Sequence, residues 1–270
     1  MKFSRTTITA GALVPLTLGT LLATTGAASA STVRVPPRAA YGSVELGGPL
    51  QYEQFLALQG FGRYHGQVDY TNWTYAEPGS GVYAPHSGPQ QLTFTYQGQP
   101  YAHTLNGGLK LVALSPERLA FSGTGAYNGG GITWKINGQV NKDRLTAVIA
   151  YDGQSYKVFL TGKVAKDGSV SGIAKSSTGQ ALTLAMPAGS FVSVLHYIAP
   201  IQSDQIGRHD ATFSFTIPKN VAGLAGTKVT VKVHDGGWGA RHDTYAHGVT
   251  GTPLSPYPII GGPGVTVSGR

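Results

Sequence analysis

From residue 118 to residue 187 the chain alternates apolar and polar side chains, segment after segment, in the period of two that belongs to strands with one buried and one wetted face. Ile132, Trp134, Ile136 and Val140 fall on one face, and Thr133, Lys135, Asn137 and Gln139 fall on the other. Leu145, Ala147, Ile149 and Tyr151 continue the series, followed by Tyr156, Val158, Leu160 and Val164, then Val170 and Ala174, then Leu182, Leu184 and Met186. The joints carry turn chemistry. Asp152-Gly153 and Asp167-Gly168 suit two-residue hairpins, and Asn141-Lys142-Asp143 and Thr178-Gly179 are looser forms of the same signal. Successive strands are therefore expected to be antiparallel neighbours, in a meander of at least six strands over residues 119–186. Residues 63–75, 92–96 and 109–113 can add strands ahead of it.

Short connections favour closing such a meander on itself, which removes exposed edges, whereas a sandwich needs longer crossings between its sheets. The expected fold class is all-β: an antiparallel meander curled into an up-and-down barrel or strongly coiled sheet, with a small C-terminal β extension. In that extension Ala211, Phe213, Phe215 and Ile217 alternate with Thr212, Ser214 and Thr216, and Val229, Val231 and Val233 alternate with Lys228, Thr230 and Lys232. The intervening stretch 199–210 is polar and holds Pro200 and Gly207, so a boundary is expected near 200–210. After Gly248 the chain is rich in Pro and Gly and reads as irregular. Residues 31–60 have a weak pattern, with Pro36-Pro37, Gly47-Gly48-Pro49 and one short helix or strand at 52–58, and read as a linker or docking segment. The expected division is 1–30, 31–60, 61–200 and 201–270.

The first thirty residues read as an export signal. Lys2 and Arg5 precede a mostly apolar, acid-free stretch at 8–22, and Ala28-Ser29-Ala30 supplies small residues for cleavage near Ala30. A secreted, extracellular protein is the expectation. There is no cysteine, which removes disulfides, thiolate catalysis, Cys-ligated zinc, iron–sulfur clusters and lipid attachment at a cysteine. The fold must then stand on packing. No apolar stretch after residue 30 approaches the ~18 residues that cross a bilayer, so no membrane span is expected in the mature chain. Formal charge is +8; the leader holds 2 of the 20 basic residues and none of the 12 acids, so 18 − 12 leaves +6 without it. These charges are scattered, which permits contact with an anionic cell-wall polymer but gives no basic and aromatic cluster for nucleic acid.

Gly123, Gly125, Gly138, Gly162 and Gly172 fall on the apolar side of neighbouring strands. A missing side chain there either eases coiling of the sheet or leaves room for another group, whether a ligand or a neighbour such as Trp134.

Two clusters carry candidate chemistry. Tyr64, Tyr70, Trp73, Tyr75 and Tyr83 crowd one window together with Gln67, Asp69, Asn72 and Glu77, and flat rings beside amide and carboxylate groups suit the faces and hydroxyl rims of sugars. Tyr70, Trp73, Tyr75 and Asp69 are the ligand-binding candidates, with Trp73 and Tyr75 expected on the same side of an extended strand. The competing reading is a strand packed by amphipathic aromatics. In the second cluster, His234, Asp235, His242, Asp243 and His247 sit in and beside a Gly-rich loop, and imidazole with carboxylate suits a divalent metal or a general base. Their spacing matches no recognised metal motif, and a solvated loop competes. Gly-x-Ser-x-Gly, Ser-x-x-Lys, phosphate-binding glycine loops and His-Glu-x-x-His are all absent from the sequence. Glycoside hydrolysis needs two carboxylates, for which Asp69 and Glu77 form the pair to examine, since Asp143, Asp152 and Asp167 are explained by turns.

The sequence leads to a secreted, non-enzymatic β protein, without a cofactor, that binds an extracellular small molecule or glycan through the aromatic strand or the open end of the barrel. The alternatives are a secreted hydrolase using the His/Asp loop, with or without a metal, and a structural or surface-associated protein with no small ligand.

Overall fold

The structure is a computed structural model, and residues 39–47, 53–59, 66–237 and 240–268 are described. The expected leader and its cleavage site lie outside them, as does Tyr64. The described residues form strands and turns, with no helix long and apolar enough to cross a membrane. In chain order the strands are β1 (Ala39–Gly47), β2 (Glu53–Gln59), β3 (Gln67–Ala76), β4 (Tyr83–Pro85), β5 (Gln90–Tyr96), β6 (Gln99–Leu105), β7 (Lys110–Ser115) and β8 (Arg118–Tyr127). The meander continues through β9 (Thr133–Asn141), β10 (Arg144–Tyr151), β11 (Lys157–Val164), β12 (Val170–Ser176) and β13 (Ala181–Met186). The last are β14 (Phe191–Ile206), β15 (Asp210–Thr216), β16 (Lys228–His234), β17 (Thr244–Val249), β18 (Ser255–Tyr257) and β19 (Ile259–Ser268).

Strands β8 to β13 are the six-stranded meander that the alternation predicts, each paired with the next. β13 then pairs with β5 (Leu184 opposite Phe94), β5 forms a hairpin with β6, and β6 pairs with β8 (Leu105 opposite Gly125), which closes an eight-stranded antiparallel barrel. β7 lies beside the other end of β8. The β5–β6 hairpin turns on Gln97 and Gly98, with φ of 49° and 80°, the backbone of a primed two-residue turn made without the usual Asn or Asp. Inside, Trp134, Phe94, Leu92, Leu119, Ile149 and Leu184 are fully buried. Each such side chain contributes roughly 1.5–3 kcal/mol of burial energy.

The inward glycines are covered by neighbours. The Trp134 indole and the Thr104 carbonyl lie where a side chain of Gly125 would stand, and the Phe121 ring would be 2.5 Å from a Cβ on Gly138. Space at these two positions is filled by aromatic rings.

The second sheet runs β18-β17-β16-β15-β14-β3-β2-β1-β19, with β4 added on β14, and curls as a half-barrel. Its core includes Val68, Leu195, Tyr197, Phe213, Phe215, Val231, Val233, Tyr245, Val265 and Val267. Five of its strands lie wholly or partly in stretches whose sequence pattern is weak, with β1 and β2 within 31–60 and β18 and β19 in the tail. β2 takes up the described part of the ambiguous segment at 52–58, as a strand. The polar stretch at 199–210 is mostly the second half of β14, held to β15 across a register shift between Ile201 and Ser203. β19, in the Pro- and Gly-rich tail, pairs with β1, again through register shifts.

Candidate functional site

One end of the barrel opens into a cavity of about 380 Å³. The ends of β5, β8 and β10 and the starts of β6, β11 and β13 meet there, and the period of two aims their last inward residues at the opening. Five tyrosines result, Tyr96, Tyr101, Tyr127, Tyr151 and Tyr156, together with Phe94, His103 and two glutamines, Gln154 and Gln180.

His103 organises the polar floor. Its Nδ1 lies 3.2 Å from the Tyr101 carbonyl oxygen and its Nε2 lies 3.0 Å from the Tyr151 hydroxyl. A carbonyl can only accept, so Nδ1 carries the proton, Nε2 is an acceptor and the Tyr151 hydroxyl donates to it. The Tyr151 oxygen thereby keeps its lone pairs for a donor arriving from the cavity. Phe94 presents an edge-on ring at 4.9 Å, and the Tyr127 ring lies 5.1 Å away. This burial moves the His103 pKa down from 6.5, against a smaller opposing effect of the Tyr101 carbonyl, and so favours the neutral ring. Burial first, and the neighbouring Tyr156 second, push the Tyr151 phenol up to about 12. Both groups are neutral near pH 7.

The half-barrel holds a second cavity of about 340 Å³, lined in part by Tyr70, Tyr75, Tyr197, Tyr245 and His247. Tyr70 and Tyr197 stack at 5.1 Å, and His247 stacks on Tyr257 at 4.3 Å with the planes 9° apart. Burial raises the pKa of Tyr70, Tyr197 and Tyr245 and pushes that of His247 down to about 4.

The aromatic-strand candidates divide among three places. Tyr70 and Tyr75 line the half-barrel cavity, whereas Trp73 is buried in the cluster of side chains that fills the barrel. The cause is a register shift in β3: Leu195 of β14 faces Asn72 while Val194 faces Ala76, so residues 73–75 bulge and the alternation that would put Trp73 and Tyr75 together is broken. Asp69 turns the other way, and its Oδ1 lies 2.9 Å from His196 Nε2. Glu77, its suggested partner for hydrolysis, accepts the backbone N–H of Ala222.

In the His/Asp loop the two acids meet backbone. Asp235 accepts N–H groups from Gly237 and Val267, and Asp243 accepts them from Gly236 and Val265, one on each carboxylate oxygen. Val265 and Val267 belong to β19, so the loop caps N–H groups that β19 would otherwise present unpaired. His234 pairs with Asp210 at 3.0 Å, His242 is exposed, and His247 belongs to the half-barrel cavity.

The barrel-mouth residues escape a sequence reading because Tyr151 and Tyr156 look like ordinary core positions and His103 sits in a strand with no clear alternation. The usable signal is that tyrosines end the inward series on several strands at one end of the meander. Compared with profiles of known families, with curated proteins and with solved structures, the chain matches none.

Proposed function

We propose that this is a secreted, non-enzymatic binding protein whose barrel mouth takes a small neutral ligand, a sugar ring or a flat phenolic molecule, that donates a hydrogen bond to the Tyr151 oxygen. The observation that carries this reading is the His103–Tyr151 pair on the floor of a ring-walled cavity. Aromatic rings supply stacking faces, and the two glutamines supply amide donors and acceptors at the rim. The wall includes no Asp, Glu, Lys or Arg, which favours a neutral ligand over an anionic polymer at this opening. It includes no Ser or Thr hydroxyl either, so the chemistry it offers is recognition.

Calorimetric titration with a panel of mono- and disaccharides and of simple phenols tests the proposal. One class is expected to bind with one molecule per chain, and Tyr101→Ala with Tyr127→Ala is expected to abolish that binding while the melting profile stays cooperative. Failure of every probe, or binding unchanged in the double variant, would overturn it.

A further inference from the structure

The seam between the two sheets gathers a second set of polar groups, unrelated to either cavity. Asp69 on β3, His196 on β14 and Glu117 in the β7–β8 turn bring one ligand atom each to within 4.8 Å of one another. His196 Nε2 is the shared vertex, 2.9 Å from Asp69 Oδ1 and 3.9 Å from Glu117 Oε1. The Asp69 and His196 side chains are only 10% and 11% exposed, and Glu117 is 28% exposed. The turn carrying Glu117 is fixed in place, because the buried Thr71 hydroxyl of β3 donates to the Pro116 carbonyl and the Glu117 carbonyl accepts the Lys142 N–H.

We infer that Asp69, Glu117 and His196 form a divalent-cation site of zinc type. A tetrahedral centre with bonds of ~2.0–2.1 Å sets its ligand atoms ~3.4 Å apart, a value between the two distances from His196. Shifts of about half an ångström bring both distances from His196 to that value, and the Glu117 side chain, on a partly exposed turn, has the freedom to close on Asp69 from within 4.8 Å. Two carboxylates this close repel, and an ion of charge +2 between them offsets both. The donor set points away from Ca²⁺ and Mg²⁺, which prefer oxygen alone, and towards a transition-type ion that takes imidazole with carboxylates, of which Zn²⁺ is the probe. Three protein ligands leave a fourth position for water. Bound there, the ion joins the barrel turn to β3 and β14 of the half-barrel.

A competing cation stands beside the site. Lys142 Nζ lies 3.1 Å from Glu117 Oε1, and its charge opposes the approach of a second cation to that oxygen. The test is Zn²⁺ titration of chelator-stripped protein by calorimetry, with Co²⁺ absorption to read the coordination number. One Zn²⁺ per chain is expected. His196→Gln could disturb folding by breaking a buried pair, so Glu117→Gln and Lys142→Gln, both at the half-exposed turn, carry the decision. Glu117→Gln should weaken binding about tenfold or more, since loss of even a group supporting a ligand costs that much. Lys142→Gln should strengthen it about thirtyfold, the effect of removing one unit charge ~4 Å from an ion of charge +2 in a water-like dielectric. His242→Ala, in the sequence-predicted loop, should change nothing. No stoichiometric binding, equal affinity in Glu117→Gln, or no gain in Lys142→Gln would each overturn the assignment.

Discussion

Replacing Tyr151 by Phe keeps the ring that walls the barrel mouth and removes one oxygen, so it isolates the acceptor proposed for the ligand. In the folded protein that oxygen is the donor to His103 Nε2 at 3.0 Å and the acceptor facing the cavity. Two losses of different size follow. Ligand binding loses one neutral hydrogen bond, about 0.5–1.5 kcal/mol, or roughly 2- to 13-fold in affinity. Folding stability loses more, about 1–3 kcal/mol, because the His103 acceptor is left buried without a donor. Fluorescence titration with 2-naphthol and with 2-methoxynaphthalene separates the hydrogen bond from packing: both present the same flat apolar body, and only the first has an O–H to donate. In wild type the naphthol should bind more tightly. In Tyr151→Phe that preference should collapse while the methoxy compound binds as before. Urea midpoints measured in parallel give the stability loss. An equal fall in affinity for both probes would show that the substitution disturbed packing, and an unchanged preference would remove the Tyr151 oxygen from recognition altogether.

Acidification should destabilise the fold through His247, whose pKa falls from 6.5 to about 4 on burial, so the unfolded chain binds a proton before the folded one does. That contribution is complete above pH 6.5 and is lost as pH falls towards 4, with a ceiling of about 3 kcal/mol, and His103 acts in the same direction. Because His247 Nδ1 is also buried without a partner, His247→Phe should keep the stack on Tyr257, flatten urea stability between pH 6.5 and 5, and raise it at pH 5; an unchanged slope would contradict this. Gly125→Ala should cost about 1–3 kcal/mol in the same assay, towards the upper end because one obstacle is the Thr104 carbonyl in the pairing that closes the barrel. Gly130→Ala, whose Cβ meets nothing within 4 Å, should stay within about 0.5 kcal/mol, and equal losses at the two positions would contradict the close-approach argument.

The barrel is legible where pairing is local. From β8 to β13 each strand meets the next through a short turn, so alternation carries most of the information, although Asp152-Gly153 and Asp167-Gly168 lie in connections longer than the two residues expected and the two-residue turn falls at Lys142-Asp143. The closing contacts are of another kind. β13 meets β5 across about ninety residues, and β1 meets β19 between the two ends of the described chain, so no short-range pattern announces either pairing. Where a sheet supplies the hydrogen bonds, Pro and Gly can occupy a strand through bulges, which is why the stretch after Gly248 reads as irregular and yet holds β18 and β19. The same limit explains Trp73: its burial follows from a register shift that only β14 imposes.

The chemistry of the acids obeys a related rule, in which nearness along the chain is weaker evidence than the partners left available in space. Asp235 and Asp243 stand among histidines in sequence, but each carboxylate oxygen already accepts a backbone N–H, and moving either acid onto a metal would uncover donors of β19 or of the loop itself. Asp69, Glu117 and His196 are separated by 48 and 79 positions, and Lys142 is the competitor that the geometry identifies for Glu117. An ammonium with one carboxylate contact at a half-exposed turn is held weakly, by about 1 kcal/mol or less. A divalent ion with three ligands displaces it without leaving a buried donor unpaired, because the freed Lys142 side chain reaches solvent. That difference in what must be given up, rather than the density of His and Asp in the sequence, is the ground for proposing the cation site at the seam and not in the loop.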